Sequence, residues 1–122
     1  MTGRLTTHVL DLSRGVPAAG VKVRLWRLKE DGTPGELLAE AETDADGRLA
    51  RPLDPDGRLE RGLYELSFEV GDYFRRLAAA AGAGEAPFLE TVPVRFRVTD
   101  PDSRYHIPLL VAPGGYSTYR GS

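Results

Sequence analysis

Residues 105–122 read YHIPLLVAPGGYSTYRGS. Tyr105, Ile107, Leu109 and Val111 alternate with His106, Pro108, Leu110 and Ala112, a period of two that puts one set of side chains on each face of a strand. The Pro113-Gly114-Gly115 run then marks a turn, and a second short strand leads to Tyr119, Arg120, Gly121 and Ser122. With Tyr105, Ile107, Leu109 and Val111 on the core, the outer face is apolar apart from His106. An apolar outer face on such a sheet implies a cover. In a chain of 122 residues the expected cover is a second copy, which would place His106 in a protein–protein seam.

The same period runs outward from this stretch. Val21, Val23 and Leu25 alternate with Lys22, Arg24 and Trp26. Tyr64, Leu66, Phe68 and Val70 alternate with Glu65, Ser67 and Glu69, and Val92, Val94, Phe96 and Val98 with Pro93, Arg95 and Arg97. Leu5–Leu12 and Leu37–Thr43 carry weaker versions of the pattern. Turn signals separate them: GVPAAG, EDGTPGE, DADG and DPDG. One stretch departs, DYFRRLAAAAG, where Asp72 is placed to cap a short helix and Gly82 to stop it. Many short strands and one helix predict an all-β chain, an antiparallel β-sandwich forming a single domain over residues 1–122.

Composition narrows the function classes. The 18 acidic and 16 basic residues give a net charge of −2, which leaves no electrostatic footprint for nucleic acid. Cysteine is absent, so thiolate chemistry and disulfides are excluded. The N-terminal MTGRLTTHVLDLSRG has neither a long apolar signal core nor a membrane span. The expected location is cytoplasmic, or periplasmic had a leader been removed. Fourteen of the basic residues are arginine, a side chain suited to oriented contacts with carbonyls and carboxylates.

The candidates for chemistry are few. His8 and His106 carry imidazoles, a group suited to moving a proton near neutral pH, or each could be a satisfied strand residue. Neither belongs to a metal-ligand motif, so no metal site is expected. Arg48 follows the tight Asp-Gly turn, where an exposed hairpin arginine is the plainer reading. Tyr119, Arg120 and Ser122 crowd an unusually patterned terminus. No serine has the Gly-x-Ser-x-Gly setting of an activated nucleophile.

The segments LTTHVLDLSRGVPAAGV, TDADGR, FLETVPVRFRV and above all YHIPLLVAPGGYSTYRGS resemble the transthyretin-related 5-hydroxyisourate hydrolases from Leu5 to Ser122. The terminal Tyr-Arg-Gly-Ser is the specific part, because it separates these hydrolases from transthyretin, the hormone carrier of the same fold. The resemblance implies an eight-stranded transthyretin-like (prealbumin-like) sandwich with a short helix after the fifth strand. It also implies a homotetramer, a dimer of dimers, with its sites at subunit interfaces. Carried over, the catalytic set is His8, Arg48, His106 and Ser122, with His8, Arg48, Tyr119 and Arg120 binding substrate.

The implied reaction is metal-independent hydrolysis of a cyclic amide C–N bond in 5-hydroxyisourate, a product of urate oxidation. It yields 2-oxo-4-hydroxy-4-carboxy-5-ureidoimidazoline through a histidine-activated water, with no cofactor. Which histidine is the base stays open at this level. The alternative is a non-catalytic carrier holding an aromatic small molecule in the inter-subunit channel. One departure is visible: the family commonly has an aromatic where this chain has Gly114, which loosens the turn and removes bulk from the channel.

Overall fold

A computed structural model describes residues 5–54, 59–82, 84 and 86–121. Two four-stranded sheets face each other across one apolar core. In chain order the strands are β1 (Leu5–Asp11), β2 (Val16–Pro17), β3 (Lys22–Leu28), β4 (Pro34–Glu42), β5 (Gly62–Phe68), β6 (Val92–Val98), β7 (Tyr105–Ala112) and β8 (Gly115–Thr118). Helix α1 (Val70–Ala80) follows β5. The first sheet has the order β2-β1-β7-β8 and the second β4-β3-β5-β6. Eight strands with a helix after the fifth is the expected transthyretin-like architecture.

Alternation sets the register. Leu5, Val9, Leu109 and Val111 of the first sheet, and Val23, Leu25, Tyr64, Leu66 and Phe68 of the second, are buried in the shared core. Each fully buried Leu, Val or Phe contributes about 1.5–3 kcal/mol. Slipping β7 by one residue would put His106 into that core and turn Leu109 outward, so the register is firmly specified.

The two outer faces differ in kind. On the second sheet, cross-strand ion pairs cover the surface: Arg24 with Glu40 at 2.5 Å, Arg95 with Glu65 at 3.0 Å, and Arg24 with Glu69 at 3.1 Å. On the first sheet the outer face carries half-buried Leu10, Leu110 and Ala112 together with Pro108. That is the contrast the alternation of residues 105–112 predicts.

Four local expectations are corrected. The pairing of β1 with β7 is parallel, in a sandwich otherwise antiparallel among the described residues. The GVPAAG turn contains the two-residue strand β2. Strand β5 ends at Phe68, and Val70 starts the helix instead of ending the strand. Asp72 is not the cap: Glu69 holds that position without a side-chain cap bond, and Asp72 lies in the first turn, 3.0 Å from Arg75. The reason is tertiary. Val70 is fully buried and the Gly71 amide donates to the Glu90 carbonyl at 2.8 Å, so a neighbouring segment does the work of a cap. Gly82, at φ +78°, follows the last helical turn as expected. The DPDG turn signal lies largely outside the described residues.

The helix is fastened to the first sheet through a buried polar cluster. The Tyr73 hydroxyl donates to Asp11 Oδ2 at 2.7 Å, while Asp11 Oδ1 accepts from the Ser13 amide at 2.9 Å and the Ser13 hydroxyl at 2.5 Å. Asp11 is only 1% exposed, and these donors satisfy a carboxylate that would otherwise be costly to bury.

Candidate functional site

Parallel pairing of β1 with β7 sets Thr6 opposite His106 and His8 opposite Pro108. Thr6, His8 and His106 alternate with buried neighbours and therefore share the outer face. Residues separated by nearly the whole chain thus form one patch.

Arg48 joins them through a turn built for the purpose. The Asp44 carboxylate accepts from the Asp46 amide at 2.9 Å and the Arg48 amide at 3.1 Å. The Asp44 amide donates to the Arg48 carbonyl at 2.8 Å, closing the loop. Gly47 sits at φ +75°, where a Cβ would come within 2.3 Å of the Val9 carbonyl oxygen. Only glycine lets the turn approach β1 that closely. The Val9 amide then donates to the Gly47 carbonyl at 2.8 Å, and Arg48 bridges His8 in antiparallel fashion.

Both imidazoles are oriented. His8 Nε2 lies 2.9 Å from the Asp46 carbonyl oxygen. A carbonyl only accepts, so Nε2 carries the proton and Nδ1 is left with the lone pair in the neutral ring. His106 Nδ1 lies 2.8 Å from Thr6 Oγ1, which leaves Nε2 at the far side of the ring. Burial, then the Arg48 guanidinium, then His8 push the His106 pKa below the ordinary histidine value, opposed by a hydrogen bond to the Thr6 backbone. Such a ring is neutral at pH 7 and able to accept a proton.

The tail completes the patch. The register of β7 with β8 runs on unshifted beyond Thr118 to a bridge between His106 and Gly121. The Gly121 amide donates to the His106 carbonyl at 2.7 Å. Tyr119 is largely exposed, at 59%. Arg120 turns the other way: its guanidinium lies 4.3 Å over the ring of Tyr105, a core-face residue, and donates to the Arg104 carbonyl at 3.0 Å. There it borders a cleft of about 240 Å³ lined by Val94, Phe96, Tyr105, Ile107 and Tyr119.

Of the residues picked from sequence, His8, Arg48 and His106 are therefore brought together. Arg120 stands on the opposite side of the sheet from the His106 ring, and Ser122 lies outside the described residues. A Cβ at Gly114 would meet nothing within 4 Å, so an aromatic side chain there has open space around its first atom. Two further contributors were not singled out from sequence, Thr6 and the Asp46 carbonyl. Thr6 was within reach, because it precedes His8 by two residues in LTTHVLD and must share its face.

Residues 5–121 match the family model described as HIUase/Transthyretin family. The chain is 57% identical over 122 residues to the 5-hydroxyisourate hydrolase of Halalkalibacterium halodurans, covering all of both chains. It is 52% identical over 119 residues to that of Deinococcus radiodurans, covering 97% of this chain and 95% of that one. Among solved structures, it matches the 5-hydroxyisourate hydrolase of Klebsiella pneumoniae over the full length of both, with a TM-score of 0.77 and 38% identity. It also matches an (S)-allantoin synthase with a TM-score of 0.80 and 42% identity, over 98% of this chain but only 44% of that longer one. By full-length similarity and by fold, the chain belongs to the HIUase/transthyretin family.

Proposed function

We propose that this chain hydrolyses 5-hydroxyisourate, opening its six-membered ring by cleaving an amide-type C–N bond. The observation that carries the proposal is the convergence of the Thr6-bonded imidazole of His106, the Asp46-bonded imidazole of His8 and the Arg48 turn on one outer face.

The chemistry divides as follows. His106 Nε2 takes a proton from water as the water oxygen bonds to the ring carbonyl carbon. The carbonyl oxygen gains the negative charge, and Arg48 offers it N–H donors. When the tetrahedral carbon collapses, the C–N bond breaks and the proton held on His106 passes to the departing nitrogen. Water is consumed, and the base returns neutral. His8 spends its Nε2–H on the Asp46 carbonyl, which suits it to shape and polarise the pocket rather than to accept the water's proton through that nitrogen. Tyr119 and Ser122 are assigned to positioning of the heterocycle. The packing of Arg120 on Tyr105 favours a role for it in holding the tail.

The apolar outer face beside the two histidines supports a homotetramer in which a neighbouring copy covers Leu10 and Leu110 and walls the site. The test is to generate 5-hydroxyisourate with urate oxidase and follow its ultraviolet decay. Wild-type protein accelerates the decay, His106→Ala abolishes the acceleration, and Arg48→Ala lowers kcat about 10²–10³-fold. Wild-type decay at the spontaneous rate overturns the proposal.

A further inference from the structure

We infer that Thr6 is a positioning residue for the reaction: its hydroxyl accepts the Nδ1–H of His106 and so presents the Nε2 lone pair to the attacking water. This rests on the hydrolase reading above. The sequence holds two consecutive threonines, and the structure uses them differently. Thr7 faces the core and its hydroxyl donates to the Ile107 carbonyl at 2.6 Å, a strand-to-strand tie. Thr6 faces outward, sits opposite His106 in the register, and places Oγ1 2.8 Å from Nδ1.

The ring has two orientations related by a half-turn, which exchange Nδ1 with Cδ2. In the one observed, Cδ2 lies against Gly121, where a Cβ would come within 2.6 Å of it. The half-turn would trade the Thr6 hydrogen bond for a carbon edge and leave Nδ1 against the tail backbone. Thr6 therefore selects the orientation. With the hydroxyl accepting from Nδ1–H, Nε2 is left unprotonated, whereas a hydroxyl donating to Nδ1 would put the proton on Nε2, and the nitrogen spectra below distinguish the two. Among the described residues, the charged and titratable groups facing His106 are His8 from β1 and Arg48 from the Asp44–Arg48 turn, and the tail contributes Gly121. Both of the former disfavour the imidazolium, so the neutral ring is the working form and its tautomer decides whether it can act as a base.

The test compares wild type, Thr6→Val, Thr6→Ser and His106→Ala as full chains. The readouts are kcat and KM for 5-hydroxyisourate across pH, and nitrogen-15 spectra of the two imidazoles without substrate. Valine keeps the β-branched shape and removes the hydrogen bond. The expected result is about a tenfold fall in kcat, the rate equivalent of one hydrogen bond, with KM unchanged. Losing the acceptor also weakens the imidazolium more than the neutral ring, so the acid limb of kcat/KM moves to lower pH. In the spectra, the His106 Nδ1 of wild type reads as protonated, and in Thr6→Val that proton shifts toward Nε2. Serine restores all three. Thr6→Val with wild-type kcat, acid limb and nitrogen spectrum overturns the inference while His106→Ala remains inactive. Activity retained in His106→Ala overturns the assignment of His106 as base and this inference with it. If wild type fails to hydrolyse 5-hydroxyisourate, the functional reading falls, and the nitrogen spectra alone decide whether Thr6 sets the ring.

Discussion

Replacing Gly121 by alanine asks whether the His106 ring must stay where it is. The added Cβ would lie 2.6 Å from Cδ2 of that ring and 3.4 Å from Cγ. Non-bonded carbons settle at about 3.5–4.0 Å, so ring or tail must move by about 1 Å. Neither yields freely. The tail backbone is tied to β7 by the Gly121 amide, at 2.7 Å from the His106 carbonyl, and the ring is tied to Thr6 at 2.8 Å. Backbone strain does not enter, because Gly121 is not among the glycines at positive φ. The substitution therefore acts through the ring. Misplacing a catalytic group by about 1 Å can cost about 10²-fold in rate. Gly121→Ala is expected to lower kcat for 5-hydroxyisourate decay by about that factor. The change lies outside the core, so Tm should stay within about 4 °C of wild type. Ultraviolet decay kinetics and a circular-dichroism melt make the measurement. A folded Gly121→Ala protein with kcat within about twofold of wild type would refute the argument that the tail fixes the ring.

Three further outcomes follow from the same contacts. Because burial, Arg48 and His8 hold the His106 pKa below its ordinary value, the base is neutral through pH 7 and is lost only as pH falls below about 6.5. The acid limb of kcat/KM should have its midpoint there, and a midpoint above 7 contradicts the assignment. Tyr73 is pushed up to about 12 by burial, and then by its bond and proximity to the Asp11 carboxylate. A free phenol titrates at about 10, so the native state keeps a proton that the unfolded chain releases. Stability is then complete below pH 10 and declines from there toward 12. In urea titrations Tyr73→Phe should flatten that decline, leaving the share of Tyr64, also raised by burial; an unchanged slope contradicts the cause given. Finally, Leu110→Glu puts a charge into the apolar outer face, and light scattering after size exclusion should show a smaller particle than wild type. An unchanged mass refutes the proposed seam.

How far the sequence alone reaches depends on the range of the interaction. Strand positions were legible because Val21–Leu25, Tyr64–Phe68 and Tyr105–Val111 alternate around a core that punishes any slip. The helix was legible in kind but not in its start, since the Glu90 carbonyl that receives the Gly71 amide is distant in sequence. His8, Arg48 and His106 could be picked as residue types, yet nothing local says that β1 lies parallel to β7. Arg120 shows the converse. The motif places it next to Gly121, but strand alternation and the Tyr105 ring carry its guanidinium to the other side of the sheet.

The site is set from both edges of the β1–β7 pair, and each edge depends on a glycine beside an arginine. At Gly47 the missing side chain lets the Asp44–Arg48 turn rest on the Val9 carbonyl, which delivers Arg48 to His8. At Gly121 it lets the tail lie along the edge of the His106 ring. In neither place does the glycine contribute a functional group; it removes the atom that would hold two backbones apart. That explains why DGR and RGS are informative in this chain while the histidines alone are not. An imidazole on a strand has many uses, but a strand pair flanked on one edge by the Gly47 turn and on the other by the Gly121 tail has its side chains fixed in position before any substrate arrives. Pre-set geometry of that kind is what lowers a hydrolytic barrier, and it makes the two glycines as diagnostic of the chemistry as the groups they position.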